Sequence, residues 1–334
     1  MQTPYDINLS RKNNKLGGAI LYAKALYPLH RKLKGYDIVA LNDPNFMSLR
    51  PERLEKLFQR LKRENGNIFY TAMSTDIFYL NMLEDKNSPL RYSEWFVQGI
   101  PSRWHLQEKE TWDNWHNTGL RNYQELVFSN IKGAVSVLYE YWEGLKYGLP
   151  VEKIGYGGIP INTSSIKPVK SCKNGRIKIL LGRDKSRIAL KGTDLLEEAA
   201  LKVVSRHKNI AELEIVENLP YNEFIRKLEQ ADIILDQIYS YTPSTTPLIA
   251  MAMGKTVVTG AEPEYYDFIG EQENHPIVNA PLTVEELENT IEKLIIDPDA
   301  IEERGEKSRE FVVKHNDYRV VARRFLDFWT KRMG

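Results

Sequence analysis

The chain has 334 residues, 42% of them hydrophobic and 27% charged, and its 46 basic side chains against 45 acidic ones leave a net charge of +1. That composition excludes a disordered or fibrous chain and a general nucleic-acid binder, and the length suits two domains of ordinary size. A lone cysteine, Cys172, excludes an internal disulfide framework and a cysteine-built metal site. No apolar run reaches the roughly 18 residues of a spanning helix, and residues 1–15 are polar with no secretory core. The reading is a cytoplasmic protein.

In chain order, the apolar spacing predicts a helix over Leu16–Leu33, a strand over Tyr36–Leu41, and a helix over Pro51–Glu64 with proline in its first turn. A strand follows at Asn67–Met73. Residues 84–120 read as irregular and aromatic, with Trp95, Trp104, Trp112 and Trp115 as a possible platform for a sugar ring or as packing for a long excursion. Tyr123–Asn130 is helical, Val135–Leu138 a strand, and Tyr139–Tyr147 a helix. Gly157 and Gly158 open a glycine-, proline- and polar-rich stretch that reads as a boundary. Beyond it, strands at Arg176–Gly182, Leu213–Val216, Ala231–Ile238, Lys255–Thr259 and Pro276–Asn279 alternate with helices at Thr193–Lys208, Tyr221–Gln230 and Ser244–Met253. Short apolar strands alternating with helices predict parallel sheets covered on both faces. The fold class is therefore α/β, with two Rossmann-like domains at 1–158 and 159–316 and a terminal helix at 317–334 that returns to the amino domain.

In open parallel sheets, ligands sit beyond the carboxyl ends of the strands, so the loops after strands hold the candidates. The loop after the Arg176–Gly182 strand carries Arg183, Lys185, Arg187 and Lys191 and runs into a helix. Fixed cations at a helix start suit a polyphosphate; a solvated loop with a capped helix is the alternative. Ser244, Thr245 and Thr246 precede another helix and offer hydroxyl donors to the same anion, while Tyr239 and Tyr241 suit stacking on a ligand or bonding to it. Glu262 and Glu264 flank Pro263 after the next strand and suit the hydroxyls of a sugar or ribose. In the amino half, Asp76 ends a strand and is the preferred base for an acceptor hydroxyl, with Asp43 second; each has a helix cap or turn as its alternative. The helix 16–34 has an apolar face and a basic one, which suits contact with anionic lipid or a core helix with a solvated side. No histidine falls in a metal-ligand spacing.

Gly182–Asp194, then Leu248–Val258, then Pro263-Glu264, in that order and spacing, resemble the carboxyl domain of GT-B glycosyltransferases of the glycosyltransferase-1 group. The likeness covers about 130 residues of the second half. It implies a nucleotide-sugar donor on the carboxyl domain, an acceptor on the amino domain, and no obligatory metal or cofactor. By the same resemblance Lys191 and either Arg187 or Arg183, with Arg187 preferred, hold the donor diphosphate. The family's two acids, separated by seven intervening residues, are missing, because Tyr241 and Ile249 occupy their slots. Glu264 joins Asp76 as a candidate catalytic acid, and Glu262 as a candidate sugar contact. The amino half also lacks the family's opening strand and glycine loop, which predicts an unpaired sheet edge. The expected function is transfer of a sugar from a nucleotide-diphosphate donor to a glycan or lipid-linked saccharide. A nucleotide-sugar epimerase, or a degenerate protein that binds nucleotide or a partner without chemistry, is the alternative.

Overall fold

The computed structural model describes residues 17–47, 49–169 and 175–333. Cys172 and Leu16, the first residue of the predicted amino-terminal helix, lie outside them. The amino half runs α1 (Gly17–Arg31), β1 (Ile38–Leu41), α2 (Pro51–Glu64), β2 (Asn67–Ala72), α3 (Ile77–Glu84), β3 (Phe96–Val97), β4 (Ile100–Pro101) and α4 (Arg103–Gln107). It continues with α5 (Lys109–Trp115), α6 (Thr118–Ser129), β5 (Gly133–Ser136), α7 (Tyr139–Leu145) and β6 (Ile154–Tyr156). The carboxyl half runs β7 (Ile177–Arg183), α8 (Ile188–Lys191), α9 (Thr193–Arg206), β8 (Ala211–Glu217), α10 (Tyr221–Gln230), β9 (Ile233–Leu235) and α11 (Thr245–Ala252). It ends with β10 (Thr256–Thr259), α12 (Pro263–Ile269), β11 (Val278–Asn279), α13 (Val284–Ile295), α14 (Pro298–His315) and α15 (Tyr318–Met333).

The elements form two compact units. The amino unit holds the described residues up to Pro89, then Glu108–Gly157, then the chain from Arg324; the carboxyl unit holds Leu90–Gln107 and Gly158–Arg323. The break between Gly157 and Gly158 lies in the glycine-rich stretch. The segment Leu90–Gln107 is different: it leaves the amino half and completes the carboxyl unit. The stretch read as irregular also carries a short antiparallel hairpin, β3–β4, and three helices, α4 to α6.

In the amino unit four parallel strands lie in the order β1-β2-β5-β6. Among the described residues β1 pairs only with β2, so its outer edge is unpaired. On one face, Leu54, Leu57, Phe58 and Leu61 of α2 are buried at helical spacing. Each such burial contributes about 1.5–3 kcal/mol, against at most about 1 for a surface ion pair, so this face fixes how α2 sits. Tyr22 and Leu26 of α1 pack into the same core and Leu21 is buried. Ile20 and Ala23 of the same helix are exposed. On the opposite face of the sheet, Phe69, Val135 and Phe328 form a second cluster with Phe325 and Trp329 of α15. That contact requires glycine: a Cβ on Gly155 would lie 2.4 Å from the Phe328 ring.

The carboxyl unit has five parallel strands in the order β11-β10-β9-β7-β8. Strand β7 pairs with β8 from Ile177↔Ala211 to Arg183↔Glu217 and, on its other side, with β9. The chain therefore leaves β7 in one direction and returns beside it in the other. The predicted helix face is observed: Leu196, Ala199, Ala200 and Val203 of α9 are buried against the sheet. Among the described residues, no helix is long and apolar enough to cross a membrane.

Candidate active site

A crevice opens in a doubly wound sheet where neighbouring strands send their loops apart. In the carboxyl unit that point lies between β7 and β9, so the site consists of the loops 184–192 and 236–244. Strand β7 ends at Arg183, and Asp184 caps the next turn by accepting from Ser186 N at 2.9 Å. One turn of helix, α8, delivers Lys191. Gly192 then adopts φ +67°, and a Cβ there would sit 2.5 Å from Ile238 and 3.1 Å from Tyr239. Only glycine meets both conditions at once. The chain then enters α9 directly.

The second loop is tied to the first by charge. Lys191 Nζ donates to Asp236 Oδ1 at 2.8 Å, and Ser244 Oγ donates to Asp236 Oδ2 at 2.8 Å. Asp236 is 1% exposed, and Ile238 N donates to Lys191 O at 3.0 Å. The ammonium is a fifth exposed and has one carboxylate partner. It keeps N–H donors for a further anion. Thr193 Oγ1, at the first residue of α9, is buried with no hydrogen-bond partner among the described residues.

The other cations of the loop divide. Arg183 is taken up by Glu197 and Glu217 and is well covered. It braces the sheet, and its assignment to the diphosphate is corrected on that ground. Lys185 pairs with Glu217 at 2.8 Å. Arg187 is exposed, 3.9 Å from Asp184. Thr245 is exposed and Thr246 half-buried at the start of α11, while the Ser244 hydroxyl serves Asp236 and makes no cap.

Of the acids after β10, Glu262 is buried among protein partners, while Glu264 keeps a third of its side chain in solvent. Glu262, 8% exposed, accepts from Tyr92 OH at 2.5 Å and Asn279 Nδ2 at 2.8 Å on one oxygen, and from Arg91 Nη2 at 2.5 Å on the other. Glu264 also pairs with Arg91. Tyr241 is 0% exposed; its hydroxyl accepts from Arg91 N at 2.6 Å, and burial pushes its phenol up to about 12. Tyr241 and Glu262 therefore join Leu90–Gln107 to the sheet, which corrects their reading as ligand contacts. Tyr239 stays half-buried beside Gly192, and Arg103 pairs with Asp194.

In the amino unit Asp76 is the cap of α3. It accepts from Phe78 N at 2.9 Å, Tyr79 N at 2.8 Å and Tyr70 OH at 2.9 Å, and is 2% exposed. Burial raises its pKa to about 6, with nearby Asp43 adding to the rise. The preferred acceptor base is thus a cap enclosed by its donors. Asp43, half-buried, accepts from Asn45 N at 2.7 Å in a tight turn. Trp95 and Trp112 are buried, and Trp95 and Trp104 pack at 6.3 Å. Trp112 packs against His116 at 5.4 Å.

Residues that the sequence reading missed are Asp236, Arg91, Tyr92, Arg103 and Asn279. Asp236 had a signal, an acid directly after a buried apolar strand. The others had none, since their partners lie far along the chain. Among the described residues, no group of three or more histidine, cysteine and acidic side chains is placed to hold a metal ion.

Residues 184–327 match the family described as glycosyl transferase-like. No curated protein matches the sequence. Among solved structures, a mutant of TarM from S. aureus, in complex with Fondaparinux, alpha-GlcNAc-glycerol and UDP, is 14% identical with a TM-score of 0.58 over 92% of this chain and 58% of that one. Sucrose-phosphate synthase from Thermosynechococcus elongatus is 13% identical with a TM-score of 0.63, over 96% and 80%. HepE from Anabaena, in complex with UDP and glucose, is 13% identical with a TM-score of 0.57, over 95% and 83%. The chain thus spans 58% of the length of TarM. The likeness is one of fold: two Rossmann-like units of the GT-B class.

Proposed function

We propose that this chain, whose residues 184–327 belong to a glycosyl transferase-like family, is a glycosyltransferase that draws its sugar from a nucleotide-diphosphate donor. The acceptor is a hydroxyl of a glycan or lipid-linked saccharide, as in polysaccharide assembly. The observation that carries the reading is Lys191, fixed by Asp236 at the switch point of the carboxyl sheet, one residue before the Gly192 bend into α9. In such a transfer the bond from the sugar's anomeric carbon to the phosphate oxygen breaks as the acceptor oxygen bonds to that carbon. The acceptor hydroxyl gives up its proton to solvent, and negative charge gathers on the departing diphosphate. A cation already in place there stabilises that charge without reorganisation. Arg187 stands by on the same loop with its side chain exposed, and the start of α9 adds backbone N–H groups. The complexes of HepE and TarM with UDP support a donor of this class.

Calorimetric titration with UDP, ADP and GDP tests the reading. Binding of one nucleotide is expected, and Lys191→Ala is expected to weaken it by about tenfold to a hundredfold. Unchanged affinity in Lys191→Ala, or no binding by the intact chain, refutes it. A second reading is favoured by Tyr241 and Ile249 in the slots of the family's acids: a protein that binds nucleotide and transfers nothing. Slow hydrolysis of the donor, abolished by Lys191→Ala, excludes that reading. Isomerised donor in the absence of acceptor points instead to an epimerase.

A further inference from the structure

The segment Leu90–Gln107 brings two arginines to the carboxyl unit, and they are placed differently. Arg91 faces two carboxylates, Glu262 and Glu264, which together outweigh its charge. Arg103, the first residue of α4, is 48% exposed and meets one carboxylate, Asp194, through both terminal nitrogens, with Nη2 2.8 Å from Oδ1. Asp194 is the second residue of α9, three positions after Lys191. Tyr239 packs beside Gly192, within electrostatic reach of Arg103. Helix α4 rests against α8, the turn that carries Lys191. The anchor is firm, because Tyr92 and Trp95 are buried and Ser102 N donates to Trp95 O at 2.9 Å.

The two cations around the start of α9, Lys191 and Arg103, are each matched by one acid, Asp236 and Asp194. An anion entering there meets the charge of Asp194 unless a cation covers it. A guanidinium has five N–H donors, and two go to Asp194. The others remain for an incoming oxygen. Next to Asp194 in sequence, Thr193 is buried, and its hydroxyl has no partner among the described residues.

We propose that Arg103 is a further donor-binding residue, which bridges Asp194 and the diphosphate, and that Asp194 holds the guanidinium in position when no nucleotide is bound. The inference rests on the reading of the site given above and adds to it a cation from outside the carboxyl half. It also gives the excursion Leu90–Gln107 a role: it delivers that charge.

The test is calorimetric titration of the full chain with UDP, inorganic pyrophosphate and uridine, in the wild type, Arg103→Ala and Asp194→Asn. Arg103→Ala is expected to weaken UDP and pyrophosphate by about tenfold and to leave uridine unchanged. Its UDP affinity should also fall less steeply with added salt. Asp194→Asn is expected to bind pyrophosphate at least as tightly as the wild type, because Arg103 no longer shares its charge. If Arg103→Ala binds UDP within about twofold of the wild type while Lys191→Ala does not, the inference falls and the reading of the site stands. If Arg103→Ala and Asp194→Asn weaken binding equally, the pair only braces the helix and the inference falls. If the wild type binds neither nucleotide nor pyrophosphate, the reading and the inference fall together. Melting of the ligand-free variants separates any of these results from loss of fold.

Discussion

The link between the two switch-point loops is measurable through Asp236→Asn. The carboxylate is 1% exposed and carries both Lys191 and Ser244. Breaking a fully buried ion pair from one side costs about 3–5 kcal/mol. Lys191 keeps a fifth of its side chain in water, which lowers the expected cost to about 2–3 kcal/mol. Asparagine still offers an oxygen to Ser244, so that bond contributes little to the loss. For a unit of this size the cost corresponds to about 5–10 °C in melting temperature. Lys191→Met should cost a similar amount, since it leaves Asp236 charged and buried with one hydroxyl donor. The double variant removes both charges, and its loss should fall short of the summed single losses by at least about 1.5 kcal/mol. Scanning calorimetry is the assay, because it can separate the transitions of a two-unit chain. Additivity of the two substitutions within about 0.5 kcal/mol would refute the argument that this pair joins the loops.

Two further outcomes follow from the amino unit. Gly155→Ala should destabilise the contact of α15 with the sheet by about 1–3 kcal/mol, since its Cβ meets the Phe328 ring; Phe328→Leu in the same chain should recover part of the loss in urea denaturation, and no recovery would place the cost elsewhere. Asp76 has a folded pKa raised to about 6 from 3.8, so the folded state binds its proton more tightly than the unfolded state does. Its contribution therefore favours folding at low pH and is lost as pH rises through about 6; moving from pH 7.5 to pH 5 should add about 1.4 kcal/mol from this group. Asp76→Asn should flatten the pH dependence by that amount, as urea denaturation at the two pH values will show.

The elements that could be read from sequence are those whose cause is local. The bounds of α2, Pro51–Glu64, follow from a proline at its start and leucines at helical spacing. The strands of the carboxyl unit follow from short apolar runs between helices. Helix α3 escaped because five of its eight residues are buried, which leaves no polar face to reveal a period. Strand β6 escaped because Ile-Gly-Tyr lies within a glycine-rich stretch, where the glycine admits an aromatic ring from α15. At the candidate site, Lys191 was legible from its loop and the helix after it. Arg183 looked equally suitable on the same evidence, because its partners Glu197 and Glu217 face it only once α9 and β8 pack. Arg91 meets its acids across more than 170 positions, and no local pattern records such a pairing.

The interleaving of the two units bears on how the protein is made. The carboxyl unit takes Leu90–Gln107 from within the amino half, and the amino unit takes the chain from Arg324. As residues leave the ribosome, the described strands of the amino sheet are all made by Tyr156, yet the aromatic cover over Phe69 and Val135 is translated only after the carboxyl unit. That face stays wet, with nothing to dock on it, through the synthesis of the whole carboxyl unit. Neither half is an autonomous folding cassette, and a fragment cut at the glycine-rich joint loses a piece of each.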